Sequence, residues 1–183
     1  MKNVYVFMAD GFEEVEALAP VDILRRAGAD CLLVGVPTKN VVGARGVKVE
    51  CDMTIDEIDI EKADMIVLPG GYPGFENLAN NKKLMSYVDY MIKNNKLVGA
   101  ICGAPSVILG KNGYLEGKNA VCYPGMEDGM VGAVAVDAPV VISDNIITSK
   151  SAATAMEFAF VLCEKLSGKE ISDNVKKSIV YNG

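Results

Sequence analysis

The sequence predicts an α/β protein: a doubly wound sandwich in which helices cover both faces of a mostly buried, mostly parallel sheet. Three observations carry that prediction. Short runs rich in valine, isoleucine and leucine alternate with longer amphipathic segments, as repeated βαβ units require. Half of the 183 residues are hydrophobic and 23% are charged, which is enough apolar content to close a core and too much for a disordered chain. Glycine- and proline-rich clusters follow the apolar runs, at the strand ends where open α/β sheets place their ligands. A chain of this length buries roughly 70% of its unfolded surface without disulfide or metal staples, so one domain over residues 1–183 is expected.

Each element has its own signal. The first apolar run, 4–8, leads through Asp10 and Gly11 into a helix over about 13–27, stopped by Gly28. The second strand is 31–36. A turn-rich patch, 37–46, separates it from 47–51, which reads as a small hairpin or an edge excursion. A strand at 64–68 runs straight into Pro69-Gly70-Gly71-Tyr72-Pro73-Gly74. A helix over about 82–94 and a buried strand at 96–101 follow. Residues 103–109 start another helix, so Cys102 sits at the strand-to-helix junction. Cys122 is assigned to a strand at 120–123. Beyond the glycine-rich stretch 124–132, residues 134–136 and 140–148 read as strands and 151–166 as a long C-terminal helix ended by Gly168. No internal repeat, low-complexity tract or interdomain linker interrupts the pattern.

Composition excludes several functions. Eighteen basic against 24 acidic residues give a net charge of −6, which repels phosphate backbones and anionic lipid, and no basic patch offsets it. No nucleic-acid or membrane partner is therefore expected. There is no histidine, the usual general base near neutral pH and the commonest metal ligand. Hydrolases built on a Cys-His or Ser-His pair and HExxH metal sites are ruled out. The five cysteines are widely spaced and never form CxxC, which fits reduced thiols and suggests neither a metal site nor a disulfide framework. The apolar run after the single N-terminal lysine is too short for a signal segment, and no stretch approaches 18 apolar residues, so a cytoplasmic protein is expected.

The chemistry concentrates in three segments. In Ala100-Ile101-Cys102-Gly103-Ala104, small residues flank a cysteine at a strand-to-helix turn, the pattern of a nucleophile elbow with cysteine in place of serine. At a helix N-terminus the macrodipole is expected to stabilise thiolate and lower the thiol pKa. The same residue also fits a buried structural cysteine, since free Cys is among the most buried residue types. Gly70 and Gly71 offer backbone N–H groups that, with that of Gly103, suit an oxyanion hole, although Pro-Gly-Gly is also an ordinary turn. Asp10, Glu13, Glu14 and Glu16 crowd the start of the first helix, where carboxylates are favoured by the dipole and usually solvated. Glu16, one turn in and near the ligand crevice, is nevertheless the candidate proton carrier for Cys102 in a chain without histidine. Buried against the sulfur it should be protonated and donate a hydrogen bond to it. GxGxxG after the first strand and Gly-Lys-Ser/Thr after Gly70–Gly74 are both missing, which excludes dinucleotide and P-loop readings.

At these residues the chain resembles the ThiJ/PfpI family, in the branch of the parkinsonism-associated deglycase and its bacterial relatives. The matching pieces are Gly11-Phe12-Glu13-Glu14-Val15-Glu16, Pro20-Val21-Asp22-Ile23-Leu24-Arg25-Arg26-Ala27-Gly28, Ala44-Arg45-Gly46-Val47, Leu68-Pro69-Gly70-Gly71, Ala100-Ile101-Cys102-Gly103-Ala104-Pro105, and Thr148-Ser149 ahead of Glu157-Phe158-Ala159. Six pieces in family order are specific where any one alone is weak. The resemblance implies a flavodoxin-like three-layer sandwich of the class I glutamine amidotransferase type, usually a homodimer and without a cofactor. It implies Cys102 as the reactive cysteine, Glu16 as its partner, oxyanion contacts from Gly71 and Gly103, and anion-facing roles for Arg45 and, across the dimer, Arg26. One departure stands out: where the family commonly has a histidine near the cysteine, this chain has Tyr123. Peptidase and glutaminase relatives carry histidine directly after the cysteine, where this chain has Gly103, so those activities are not expected.

The function expected is a hydrolase or lyase acting on methylglyoxal, glyoxal or their protein adducts, a glutathione-independent glyoxalase or a protein deglycase. Its partners are then a small carbonyl substrate or a glycated protein. The alternative is a redox-sensing or chaperone-like stress protein in which Cys102 is oxidised to a sulfinate. A thiamine-precursor role is left open by the older family name alone.

Overall fold

The computed structural model describes residues 1–182. The central sheet begins with β1 (Asn3–Met8), which is followed by α1 (Glu14–Arg26) and β2 (Asp30–Gly35). A small antiparallel hairpin, β3 (Asn40–Val42) and β4 (Lys48–Glu50), precedes the short edge strand β5 (Met53–Thr54). Then come β6 (Met65–Leu68), α2 (Gly74–Ala79), α3 (Lys82–Lys93) and β7 (Leu97–Ile101). The last part holds β8 (Asn119–Ala120), β9 (Val134–Ala135), β10 (Val140–Ser143), β11 (Ile146–Ser149), α4 (Ala155–Ser167) and α5 (Lys169–Ser178).

Strand order in the main sheet is β10-β11-β7-β6-β1-β2-β5, with only β10 antiparallel to its neighbour. The inner five, β2-β1-β6-β7-β11, taken in sequence order read 2-1-3-4-5, the flavodoxin-like winding. Period-two alternation sorts their side chains into two cores. Val4, Val6 and Met8 of β1 pack with Ile23 and Leu24 of α1 and Phe158 and Leu162 of α4. Tyr5 and Phe7 turn the other way, toward Leu84, Val88 and Met91 of α3. The expected three-layer sandwich is therefore present. No helix among the described residues is long and apolar enough to cross a membrane.

Several elements differ from expectation for physical reasons. The strand expected at 120–123 stops at Ala120, and Cys122 lies beyond it. There the amide of Val121 donates to Thr148 Oγ1 and that of Tyr123 to the Cys102 carbonyl, so the backbone is drawn to the strand edge instead of extending a ladder. The apolar run 140–148 is two strands folded on each other, with Asp144 left-handed at the turn (φ 56°). The helix expected from 103 is one short π-helical turn, Pro105–Leu109. The breaker cluster at 69–74 hides the start of α2, and α5 follows the Gly168 stop that was expected to end the last helix.

Candidate active site

Strands β1, β6 and β7 end on one edge of the sheet, and the winding reverses between β1 and β6. Such a switch point leaves a crevice beyond the strand ends, because the following chain segments leave toward opposite faces. Here those segments are 9–16, 69–74 and 102–105.

The four crowded carboxylates separate into distinct tasks. Asp10 accepts the Val42 amide (2.8 Å), tying β1 to the hairpin. Glu13 is the N-cap of α1, its Oε2 accepting the Glu16 amide at 2.8 Å. Glu14 accepts the Arg45 amide at 2.7 Å and so holds the hairpin tip. Glu16 is 1% exposed and points inward. Its Oε2 accepts the Gly70 amide at 2.9 Å, while Oε1 is buried without a hydrogen bond among the described residues.

Gly70 makes this approach possible. A Cβ there would come within 2.5 Å of both Cys102 Cβ and Glu16 Oε2, and 3.0 Å from Cys102 Sγ, so the residue is the gap into which the carboxyl and the thiol fit. Its amide is spent on Glu16, which corrects its expected place among the oxyanion donors. Gly71, at φ +88°, turns the chain where a side chain would strike the Glu13 and Gly11 backbone.

Cys102 has φ 65°, a left-handed conformation that costs a residue with a Cβ about 1–2 kcal/mol. Its amide donates to Ser149 O (3.0 Å) and its carbonyl accepts from Tyr123 N (2.7 Å), which hold the strained elbow in place. The amides of Gly71 and Gly103 favour the thiolate form of its sulfur. Cys102 alone among the five cysteines is not fully buried.

Burial pushes the Glu16 carboxyl up to about 7, with repulsion from Glu13 adding to the rise and contacts with the Cys102 thiol and the Gly70 and Ala152 amides opposing it. The upward direction matches the expected protonation. Burial, then the adjoining Glu16 carboxylate, push the Cys102 thiol up to about 12, against the pull of the Gly71 and Gly103 amides. This reverses the expected lowering: one π-helical turn follows the cysteine, and desolvation next to a carboxylate outweighs any dipole it carries. Ionising either group raises the cost of ionising the other, so a single negative charge is all the pair holds easily.

A cavity of about 630 Å³ opens over the pair, within the usual range for small-molecule sites. Its walls include Arg45, Tyr72, Phe75 and Tyr123. Arg45 is exposed and makes no ion pair among the described residues. Cys102, Glu16, Gly71, Gly103, Arg45 and Tyr123 are thus drawn to one place. Arg26 is not: it ends α1 and pairs with Asp22 at 2.8 Å, away from the cavity. A smaller cavity, about 260 Å³ and lined in part by Cys122, Asp137 and Lys150, contains none of the pair. Tyr72 and Phe75 also line the cavity without a motif to mark them, and Glu13, one of the crowded carboxylates, proves to be part of the site. Glu13 had an available signal, an acidic residue three before Glu16 at the first turn of a helix, which is N-cap spacing.

The DJ-1/PfpI family model matches residues 2–165. The chain is 40% identical over 98% of its length to "Protein DJ-1 homolog A" of Arabidopsis thaliana, covering 46% of that protein, so it spans about half the length of that relative. It is 33% identical over 91% of its length to "Glutathione-independent glyoxalase DJR-1.2" of Caenorhabditis elegans, covering 89% of it. It is 32% identical over 81% of its length to "Deglycase PH1704" of Pyrococcus horikoshii, again covering 89%. The solved structure "Toxoplasma gondii DJ-1, oxidized" superposes with a TM-score of 0.95 at 35% identity, with both chains covered in full. With its fold, its strained cysteine and these similarities together, the chain belongs to the DJ-1/PfpI family.

Proposed function

We propose that this protein is a cysteine-dependent enzyme acting on reactive dicarbonyls, in the manner of a glutathione-independent glyoxalase or a protein deglycase. One observation supports it above the rest: a carboxyl that is 1% exposed and shifted to about 7 lies against the least buried thiol in the chain. A base poised near the working pH is the most effective kind of proton carrier. The names of the C. elegans and P. horikoshii relatives point the same way.

Near neutral pH the carboxylate form of Glu16 takes the thiol proton as Cys102 Sγ bonds to the aldehyde carbon of methylglyoxal. The carbonyl electron pair moves to oxygen, with the Gly71 and Gly103 amides as its donors. Glu16 returns the proton to that oxygen, giving a hemithioacetal. It then removes the hydrogen from the same carbon and delivers it to the neighbouring one, while the hydroxyl proton passes from the first oxygen to the second, leaving a lactoyl thioester. Water cleaves the C–S bond, releasing lactate and restoring the thiol. No step expels an amine, so no histidine is needed, and free dicarbonyls should react faster than peptides, glutamine or stable amide adducts. Arg45 and Tyr123 orient the carbonyl, and Arg26 serves only if a partner subunit brings it to the cavity. The reading includes a single domain, a homodimer, a cytoplasmic setting and no cofactor.

Consumption of methylglyoxal by wild type, Cys102→Ala and Glu16→Gln tests it. Both variants should lose nearly all activity; undiminished turnover by Cys102→Ala would overturn the reading. The oxidation-sensing alternative draws on the exposure of the same thiol, and peptide mapping after mild peroxide separates it by whether Cys102 sulfinate forms ahead of oxidation at the other cysteines.

A further inference from the structure

Three hydrogen bonds close a ring around the carboxyl. Glu13 N–H donates to Gly70 O (2.9 Å), Gly70 N–H donates to Glu16 Oε2 (2.9 Å), and Glu16 N–H donates to Glu13 Oε2 (2.8 Å). Through this ring the loop after β6 and the start of α1 become one unit, and Glu16 is gripped at both its amide and its carboxyl. Glu13 is half-buried and its side chain lines the same cavity as Cys102. We infer that Glu13 is a positioning residue for the Cys102 chemistry, holding Glu16 in place through its amide and setting, by the charge it brings to the cavity wall, the pH range over which Glu16 exchanges its proton.

The inference rests on the reading of Glu16 as proton carrier. A helix cap alone would make Glu13 structural, and Ser, Thr, Asp or Asn would serve there as well. What distinguishes Glu13 is that its carboxylate caps the very residue whose ionisation matters. A like charge held that close disfavours ionisation of its neighbour. The groups that face Glu16 are few: Glu13 on its own element, the Cys102 thiol from the end of β7, and the Gly70 and Ala152 amides. Arg45 from the hairpin and Tyr123 from the loop after β8 line the same cavity further out. Repulsion from Glu13 is the largest contribution to the Glu16 rise after burial, so the geometry and the electrostatics agree.

The test uses three variants of the full chain. Glu13→Gln keeps an acceptor for the Glu16 amide and removes the charge; Glu13→Asp keeps the charge; Glu13→Ala removes both. The readout is an infrared titration of the protonated carboxyl band, identified by its loss in Glu16→Gln, beside the pH profile of Cys102 alkylation and the melting temperature. In Glu13→Gln the carboxyl midpoint and the first inflection of the alkylation profile should both fall by about one pH unit. In Glu13→Asp both should stay near wild type, and Glu13→Ala should combine the fall with a lower melting temperature. A Glu13→Gln protein with an unmoved midpoint, whether or not its melting temperature drops, would overturn the inference; should Glu13→Gln fail to fold, a midpoint moved as far in Glu13→Asp as in Glu13→Ala would do the same. Failure of the underlying reading looks different, because Glu16→Gln would then consume methylglyoxal at the wild-type rate.

Discussion

Replacing Glu16 by glutamine should make the protein more stable as it makes it inactive, and only at higher pH. Burial raises the carboxyl from 4.5 to about 7 in the folded chain. The folded state therefore holds this proton more tightly than the unfolded state. The resulting stabilisation is complete below the unfolded pKa near 4.5 and is lost as pH rises through 7, when the buried group must ionise. At about 1.4 kcal/mol per pH unit the rise corresponds to about 3 kcal/mol. Glutamine has nearly the same shape, keeps an acceptor for the Gly70 amide and never ionises. The melting-temperature difference between variant and wild type should therefore grow with pH, by about 6–12 °C for a chain of this size between the two limits. Thermal denaturation followed by circular dichroism from about pH 5 to pH 8.5 measures it. Parallel melting curves across that range, or a variant that loses stability as pH rises faster than wild type does, would refute the argument that Glu16 is a buried acid with a raised pKa.

Two further substitutions probe the same site. Gly70→Ala drives a methyl group between Cys102 and Glu16, its carbon 2.5 Å from both Cys102 Cβ and Glu16 Oε2; overpacking of this kind costs about 1–3 kcal/mol, and separation of the pair should lower dicarbonyl turnover about a hundredfold or more. A melting curve and a turnover assay together decide, and wild-type turnover would show that the close contact is dispensable. Tyr123→His places an imidazole on the cavity wall in a chain with no histidine; general acid–base assistance typically reaches about 10²- to 10⁴-fold, so turnover of methylglyoxal or of amide adducts should rise, and steady-state kinetics on both substrates would register it.

Much of this molecule was legible before folding. Apolar runs of four to six residues separated by amphipathic segments commit the chain to buried parallel strands with helices on both faces, because burial is decided residue by residue through periodicity. Cys102 between small residues, the Gly70-Gly71 pair and the acid-rich start of α1 could likewise be named, since each is a short local pattern that needs no knowledge of its neighbours. What folding alone decided is relational. Four carboxylates within seven residues look alike in sequence, yet the turn of α1 sends Glu16 inward to 1% exposure while the Asp10 and Glu14 side chains bind amides of the hairpin. Gly70 looked like an oxyanion donor until its amide was seen to be occupied by a side chain 54 positions away. The thiol looked activated by a helix, and the structure raises its pKa, because desolvation and the nearness of a second acid depend on how three strand ends converge at the switch point. Local sequence sets which groups a segment carries; distance, burial and the sum of charges around them exist only once segments remote in the chain have packed together.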